Sequence, residues 1–192
     1  MKNNDLLLVI DMQNVYLPDQ EWACPRMPEA SRNTRRLIDT GVPGNILFTQ
    51  FIAPENPSGR WMEYNREYRE INDNAWLCAV TDEFHPYLKQ YPLISKSTFS
   101  SLKSPEVLEA ARRADRILLA GVVAECCVLA TMLEAIDLGI DTIYMPDCCA
   151  GQTLEKEARV MGIADSFSPV HMRIQTVDEY LHSSDYFAVC CH

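Results

Sequence analysis

Two adjacent thiols, Cys126 and Cys127, sit in "GVVAECCVLAT" (Gly121–Thr131), where an apolar run gives way to a helix-like pattern. A thiol in the first turn of a helix lies at the positive end of the macrodipole, near N–H groups that lack intrahelical partners. Such thiols commonly have depressed pKa values and react as thiolates. Neighbours on a helix are about 100° apart, so only one of the pair is expected to face a cleft. The local sequence does not say which, and two small packed residues at a helix start are the alternative. Two charged groups also end apolar runs. Asp11 closes "DLLLVID" (Asp5–Asp11), and Lys96 follows "YPLIS". A charge at the end of a buried strand needs a partner to offset its desolvation. A loop carboxylate and a solvated lysine are the plainer readings. Together, the three groups can do nucleophilic acyl chemistry, with the aspartate taking the thiol proton and the lysine holding down the thiolate pKa.

The elements that must position these groups alternate between strand-like and helix-like patterns. "DLLLVID", "NILFTQF" (Asn45–Phe51), a short run near "YPLIS", "RILLAGVV" (Arg116–Val123), "DTIYMP" (Asp141–Pro146) and "MRIQT" (Met172–Thr176) read as strands. Helical spacing joins Met27, Ala30, Thr34, Leu37 and Ile38, closed by Gly41 and Pro43. Further helices are expected from the Ser104–Pro105 cap to about Ala114, from about Cys126 to Leu138 before Gly139, from about Leu154 to Ala164, and at the terminus. "APENPSGR" (Ala53–Arg60) is a loop, and Trp61 to Gln90 an aromatic, irregular excursion with a broken helix. Alternation of this kind implies a three-layer α/β/α fold with a mainly parallel, doubly wound, Rossmann-like sheet. Ligands of such sheets bind beyond the carboxyl ends of the strands. That rule selects Asp11, Thr49 to Phe51, Val123 to Cys127, and Asp147.

Composition narrows the function. At 192 residues a single domain, 1–192, is expected, large enough to bury about 70% of its unfolded surface. A net charge of −10 repels phosphate backbones, so no nucleic-acid partner is expected. Arg32, Arg35 and Arg36 read as the wet face of a helix. The apolar core of "MKNNDLLLVIDM" is too short for a secretory signal. Glu125, Glu134 and Asp137 interrupt the most hydrophobic stretch, Ile117 to Ile140, so no membrane partner is expected either. Six of the eight cysteines form adjacent pairs, and none has C-x-x-C spacing. These thiols read mostly as buried small hydrophobes in a reduced, cytoplasmic protein. His85, His171, His182 and His192 are scattered, and the terminal "CCH" is a weak metal site.

Three blocks then carry a family resemblance. "LLVIDMQNVY" (Leu7–Tyr16), "ISKSTFSSL" (Ile94–Leu102) and "GVVAECCVLATMLEAIDLG" (Gly121–Gly139) resemble, in order, the signature blocks of the isochorismatase-like cysteine hydrolases. That superfamily includes nicotinamidases and the N-carbamoylsarcosine, ureidoacrylate and biuret hydrolases. The resemblance runs from about Leu6 to the strand at Met172. Its Gly, five residues, Cys-Val pattern implies Cys127 as nucleophile, with Cys126 packed beneath it. Asp11 is then the general base, and Lys96 assists the thiolate. A non-proline cis peptide is implied at Val123–Ala124, with an oxyanion hole of the Ala124 and Cys127 N–H groups. Gln13, Tyr16, Phe51 and Trp61 fall at or near substrate-binding positions, while Val15 stands where the family often has Asp.

Two departures sharpen the expectation. Nicotinamidases carry a metal cluster at positions that here match Thr49, Phe51 and roughly Pro57, none a good ligand, so no metal and no cofactor is expected. Isochorismatases replace the nucleophilic cysteine, which Cys127 argues against. The resemblance therefore implies a metal-independent cysteine hydrolase acting on a C–N bond of a small amide or ureido/carbamoyl compound. A homo-oligomer, dimer or tetramer, is implied as well. A non-catalytic binding or scaffold member of the fold and a thiol redox protein are the alternatives. Vicinal thiols form strained disulfides, which weighs against the last.

Overall fold

Strand β1 (Leu6–Ile10) is buried along its whole length. Leu7 and Val9 enter one apolar cluster, while Leu6, Leu8 and Ile10 enter another on the opposite face. A strand covered on both faces has no polar side, hence the unbroken apolar run. In the computed structural model of the chain, which describes residues 3–189 and side chains through residue 183, five more strands join it. They are β2 (Asn45–Phe51), β3 (Leu93–Lys96), β4 (Ile117–Gly121), β5 (Thr142–Cys149) and β6 (Arg173–Ile174). The sheet order is β3-β2-β1-β4-β5-β6, and every pair is parallel.

Helices cover both faces. Helix α1 (Met27–Thr40) ends at Gly41, whose left-handed φ of 65° lets its N–H cap the Ile38 carbonyl. Between β2 and β3 come four short helices, α2 (Arg60–Glu67), α3 (Arg69–Asn72), α4 (Ala75–Cys78) and α5 (His85–Leu88). This is the expected irregular excursion; of these helices' residues only Ile71 is buried. Helices α6 (Pro105–Arg113), α7 (Leu129–Asp137) and α8 (Leu154–Phe167) bury Val107, Ala111, Met132, Ala135, Val160 and Ala164 against the Leu6–Leu8–Ile10 face. α1 and α9 (Val177–Val189) cover the other face with Met27, Leu37, Val177 and Tyr180. No helix among the described residues is long and apolar enough to cross a membrane. The Cys190–His192 tail lies outside the described residues.

Several expectations need correction. β5 runs past Pro146 to Cys149, because a register shift between Leu119 and Gly121 lets it resume pairing, Gly121 to Cys149. Asp147 therefore lies inside the strand, not beyond it. Its carboxylate accepts the Val177 N–H at the start of α9, which removes it from the candidate set. α8 continues one turn beyond Ala164, and the helix after β4 begins with a π-helical turn, Ala124–Val128. Arg35 and Arg36 are paired, with Glu83 and Asp178, so only part of that basic face is free charge.

The chain steps outward from β1 to β2 and β3, then returns to β4 on the other side of β1. That reversal opens a crevice between the carboxyl ends of β1 and β4. Gly121 makes the crevice narrow. It pairs with Ile10 at φ 131°, and a Cβ there would lie 2.1 Å from the Ile10 carbonyl oxygen. Val122 N–H donates to that same oxygen at 2.9 Å. Gly121→Ala is expected to destabilise the fold by about 3 kcal/mol or more in urea unfolding, since both the backbone region and the contact exclude a methyl group.

Candidate active site

Asp11 follows β1 with φ 52°, a left-handed conformation that aspartate tolerates better than most side chains. Its N–H donates to the Thr49 carbonyl at 3.1 Å and its carbonyl accepts from Gln13 N–H at 2.7 Å, so the chain turns at once. The carboxylate is fully buried. Oδ1 accepts from Thr49 Oγ1 at 2.8 Å, and Oδ2 lies 2.6 Å from Lys96 Nζ. Lys96 is the last residue of β3, and its Nζ also donates to the carbonyls of Thr98 (2.9 Å) and Phe99 (3.2 Å) and to Cys127 Sγ (3.5 Å). The three residues chosen from sequence are thus brought together. Oδ2 keeps a second lone pair beyond the Lys96 contact, and the Cys127 thiol is within hydrogen-bonding reach of the carboxylate.

Cys127 sits inside the π-helical turn, a distortion often found where a helix carries function. Its carbonyl accepts from Thr131 Oγ1 at 2.7 Å, and that oxygen accepts from Ser101 N–H at 3.0 Å, tying the turn to the loop after β3. The surroundings of Cys127 work against the depressed pKa expected of a helix-start thiol. Burial and the Asp11 carboxylate push the Cys127 thiol well above its usual pKa, and Lys96 opposes them only in part. Burial alone would depress Lys96, but Asp11 and Cys127 reverse this and hold the ammonium charged. The ammonium is thus held by two partners, and the thiol is held against losing its proton by one of them.

The backbone geometry corrects two further expectations. The non-proline cis bond lies at Val122–Val123, one residue earlier than the resemblance implied. Ala124 N–H donates to the Ala150 carbonyl at 2.8 Å, so it is not available to an oxyanion. The Val123 N–H donates no backbone hydrogen bond among the described residues.

A cavity of about 190 Å³ opens over Cys127, walled by Tyr16, Trp22, Phe51, Tyr64, Tyr68 and Phe99. Two of the expected pocket residues, Tyr16 and Phe51, line it. Gln13 does not. Its amide clamps the Phe51 backbone, accepting from Phe51 N–H at 2.8 Å and donating to Phe51 O at 3.0 Å and Cys78 O at 2.6 Å. Trp61 stands behind the wall, stacked on Phe51 at 6.0 Å and 29°. Cys126 is not beneath Cys127 but beside it, half-buried on the cavity wall. Trp22, Tyr64, Tyr68, Phe99 and Gln152 were not singled out from sequence. The spacing of Trp61, Tyr64 and Tyr68 is one face of a helix, a signal that finds two of them. Thr49 donates its hydroxyl to Asp11 and Phe51 offers a ring, so the positions matching the family's metal cluster do not fit a metal. Among the described residues no three His, Cys, Asp or Glu side chains cluster to hold one.

The charges at the site give a counterintuitive expectation. Asp11→Asn removes a group that raises the Cys127 pKa and leaves Lys96, which lowers it. More thiolate is then present at pH 8, so iodoacetamide should label the Cys127 peptide faster in Asp11→Asn than in the parent chain, read by mass spectrometry of the digest. Slower labelling would remove the carboxylate from contact with the thiol.

Comparison with known proteins supplies the family. The Isochorismatase domain model matches residues 5–172. An isochorismatase of Bacillus subtilis (strain 168) is 24% identical over 168 residues, which cover 84% of this chain and 53% of that protein. This chain thus spans about half the length of that relative. A cysteine hydrolase from Pseudomonas syringae pv. phaseolicola 1448A superposes with a TM-score of 0.79 at 16% identity, covering 95% of this chain and 93% of the other. For N-carbamoylsarcosine amidase from Thermoplasma acidophilum the TM-score is 0.69 at 22% identity, covering 93% and 98%. These structures share the fold, and with the domain match running through most of its length, the chain belongs to the isochorismatase family.

Proposed function

We propose that the chain is a cysteine hydrolase that cleaves a C–N bond of a small amide or ureido compound through a Cys127 thioester, without a metal. The observation that carries this reading is one buried ammonium, Lys96 Nζ, within 2.6 Å of Asp11 and 3.5 Å of Cys127, at the floor of a small aromatic cavity. Because burial and Asp11 push the thiol's pKa up, proton transfer to Asp11 Oδ2 accompanies attack: the S–H bond breaks as the S–C bond to the substrate carbonyl forms. Lys96 stabilises the charge that develops on sulfur. The Val123 and Cys127 N–H groups take the oxyanion, Val123 replacing Ala124 in that role. Collapse breaks the C–N bond, and Asp11 returns its proton to the leaving nitrogen. Water then adds to the thioester, giving a proton to Asp11, and Cys127 leaves as the sulfur that regains it. The cavity limits the substrate. A site of about 150 Å³ holds benzene, so 190 Å³ admits little more than one ring and its amide.

The test is ammonia release and intact mass on mixing with nicotinamide, carbamoyl, ureido and biuret-type compounds. Turnover of at least one, with an acyl adduct on Cys127, is expected. Cys127→Ala and Asp11→Asn should each lower kcat by at least about 10³-fold, and Cys126→Ala should not. Neither ammonia nor adduct across the panel, or loss in Cys126→Ala alone, would overturn the proposal.

A further inference from the structure

Among the cavity's side chains one polar group is held in a fixed orientation. Gln152 lies in the loop between β5 and α8, at the cavity wall beside Cys126. Its backbone N–H donates to Glu125 Oε1 at 3.2 Å, which ties the loop to the residue before the thiols. Its side-chain Oε1 accepts from Lys156 Nζ at 2.5 Å. Lysine has only donors, so this contact decides the amide orientation: oxygen toward Lys156, NH₂ away from it. Lys156 is itself held by Glu125 at 3.4 Å. An amide whose oxygen binds an ammonium is polarised and becomes a stronger N–H donor. The tyrosine hydroxyls of Tyr16, Tyr64 and Tyr68 rotate and can donate or accept; the Gln152 amide cannot change roles without losing Lys156.

We propose that Gln152 is a specificity-determining residue whose NH₂ binds a hydrogen-bond acceptor on the substrate, remote from the scissile carbonyl, with Lys156 and Glu125 as positioning residues. The substrate class is then a small planar amide that carries a second, neutral acceptor such as a ring nitrogen or a carbonyl. Otherwise aromatic walls make this selective. They solvate a bare ring as well as a substituted one, and a Gln152 donor that a bound bare ring covers and leaves unpaired disfavours that ring.

This assignment rests on reading the cavity as the substrate site, and equilibrium binding separates it from the chemistry. In the Cys127→Ala background, the Kd values of benzamide, nicotinamide and isonicotinamide are measured by calorimetry. At least one pyridine amide is expected to bind about 3- to 10-fold tighter than benzamide, as one hydrogen bond provides. Gln152→Leu should bring that ratio to about one, and so should Gln152→Glu, a near-isosteric side chain that keeps Lys156 but offers no donor. Lys156→Met should reduce the ratio by freeing the amide to turn. A ratio near one before substitution, absence of binding by all three amides, or a ratio that survives both Gln152 changes would overturn the assignment. Turnover by the chain with Cys127 intact reports separately on the hydrolytic reading.

Discussion

The structure is organised around a buried ion pair. Lys96 and Asp11 meet at 2.6 Å with side chains 1% and 0% exposed. Removing two charges from water costs several kcal/mol per ion, and their attraction offsets this only if the other hydrogen-bonding capacity is met. Thr49 meets it for the carboxylate, and the Thr98 and Phe99 carbonyls meet it for the ammonium. These partners come from the ends of β1, β2 and β3 and the loop beyond. The pair therefore demands a fixed register along three strands, Ile10 beside Thr49 and Phe51 beside Lys96. Gly121 extends the demand to β4 by bringing the turn of Cys127 against Ile10. A sheet slipped by one residue would strand both charges in an apolar core.

Topology explains why the site lies where it does. Among the described strands, the crevice between β1 and β4 is the one place where neighbouring connections leave in opposite directions. Asp11 and Cys127 leave the two strands that flank it, and Lys96 reaches in from two strands away with the longest of the three side chains. The same crossing separates the two thiols. Cys127 belongs to the apolar cluster under α6–α8, and Cys126 packs against the cluster on the α1 side.

Much of this was legible from the sequence, and the illegible part has physical causes. Strands buried on both faces announce themselves as apolar runs, and charges that end them announce a partner; Asp11 and Lys96 were found that way. Gly41 signals its helix end through the left-handed backbone it alone adopts cheaply. A dipole argument sees the helix end but not the burial that pushes the Cys127 thiol's pKa up. Gln13 was misplaced for a related reason. It follows Asp11 by two residues, but its amide turns to clamp Phe51, a direction no spacing encodes. The aromatic wall escaped because it is assembled from aperiodic segments, Trp22 from one loop and Phe99 from another, whose meeting is purely tertiary.

The Lys96 ammonium also has a consequence at the cavity's mouth. Phe99 is 47% exposed at the rim, and its carbonyl is bound by Lys96 Nζ. The group that balances the reaction centre's charge is thus the same group that anchors one lip of the entrance. That lip cannot be remodelled without disturbing the centre. The Gln152 stretch of the wall has no bond to Lys96 among those described. One stretch of the cavity wall is thus tied to the buried ion pair, and the Gln152 stretch is tied instead to Glu125 and Lys156.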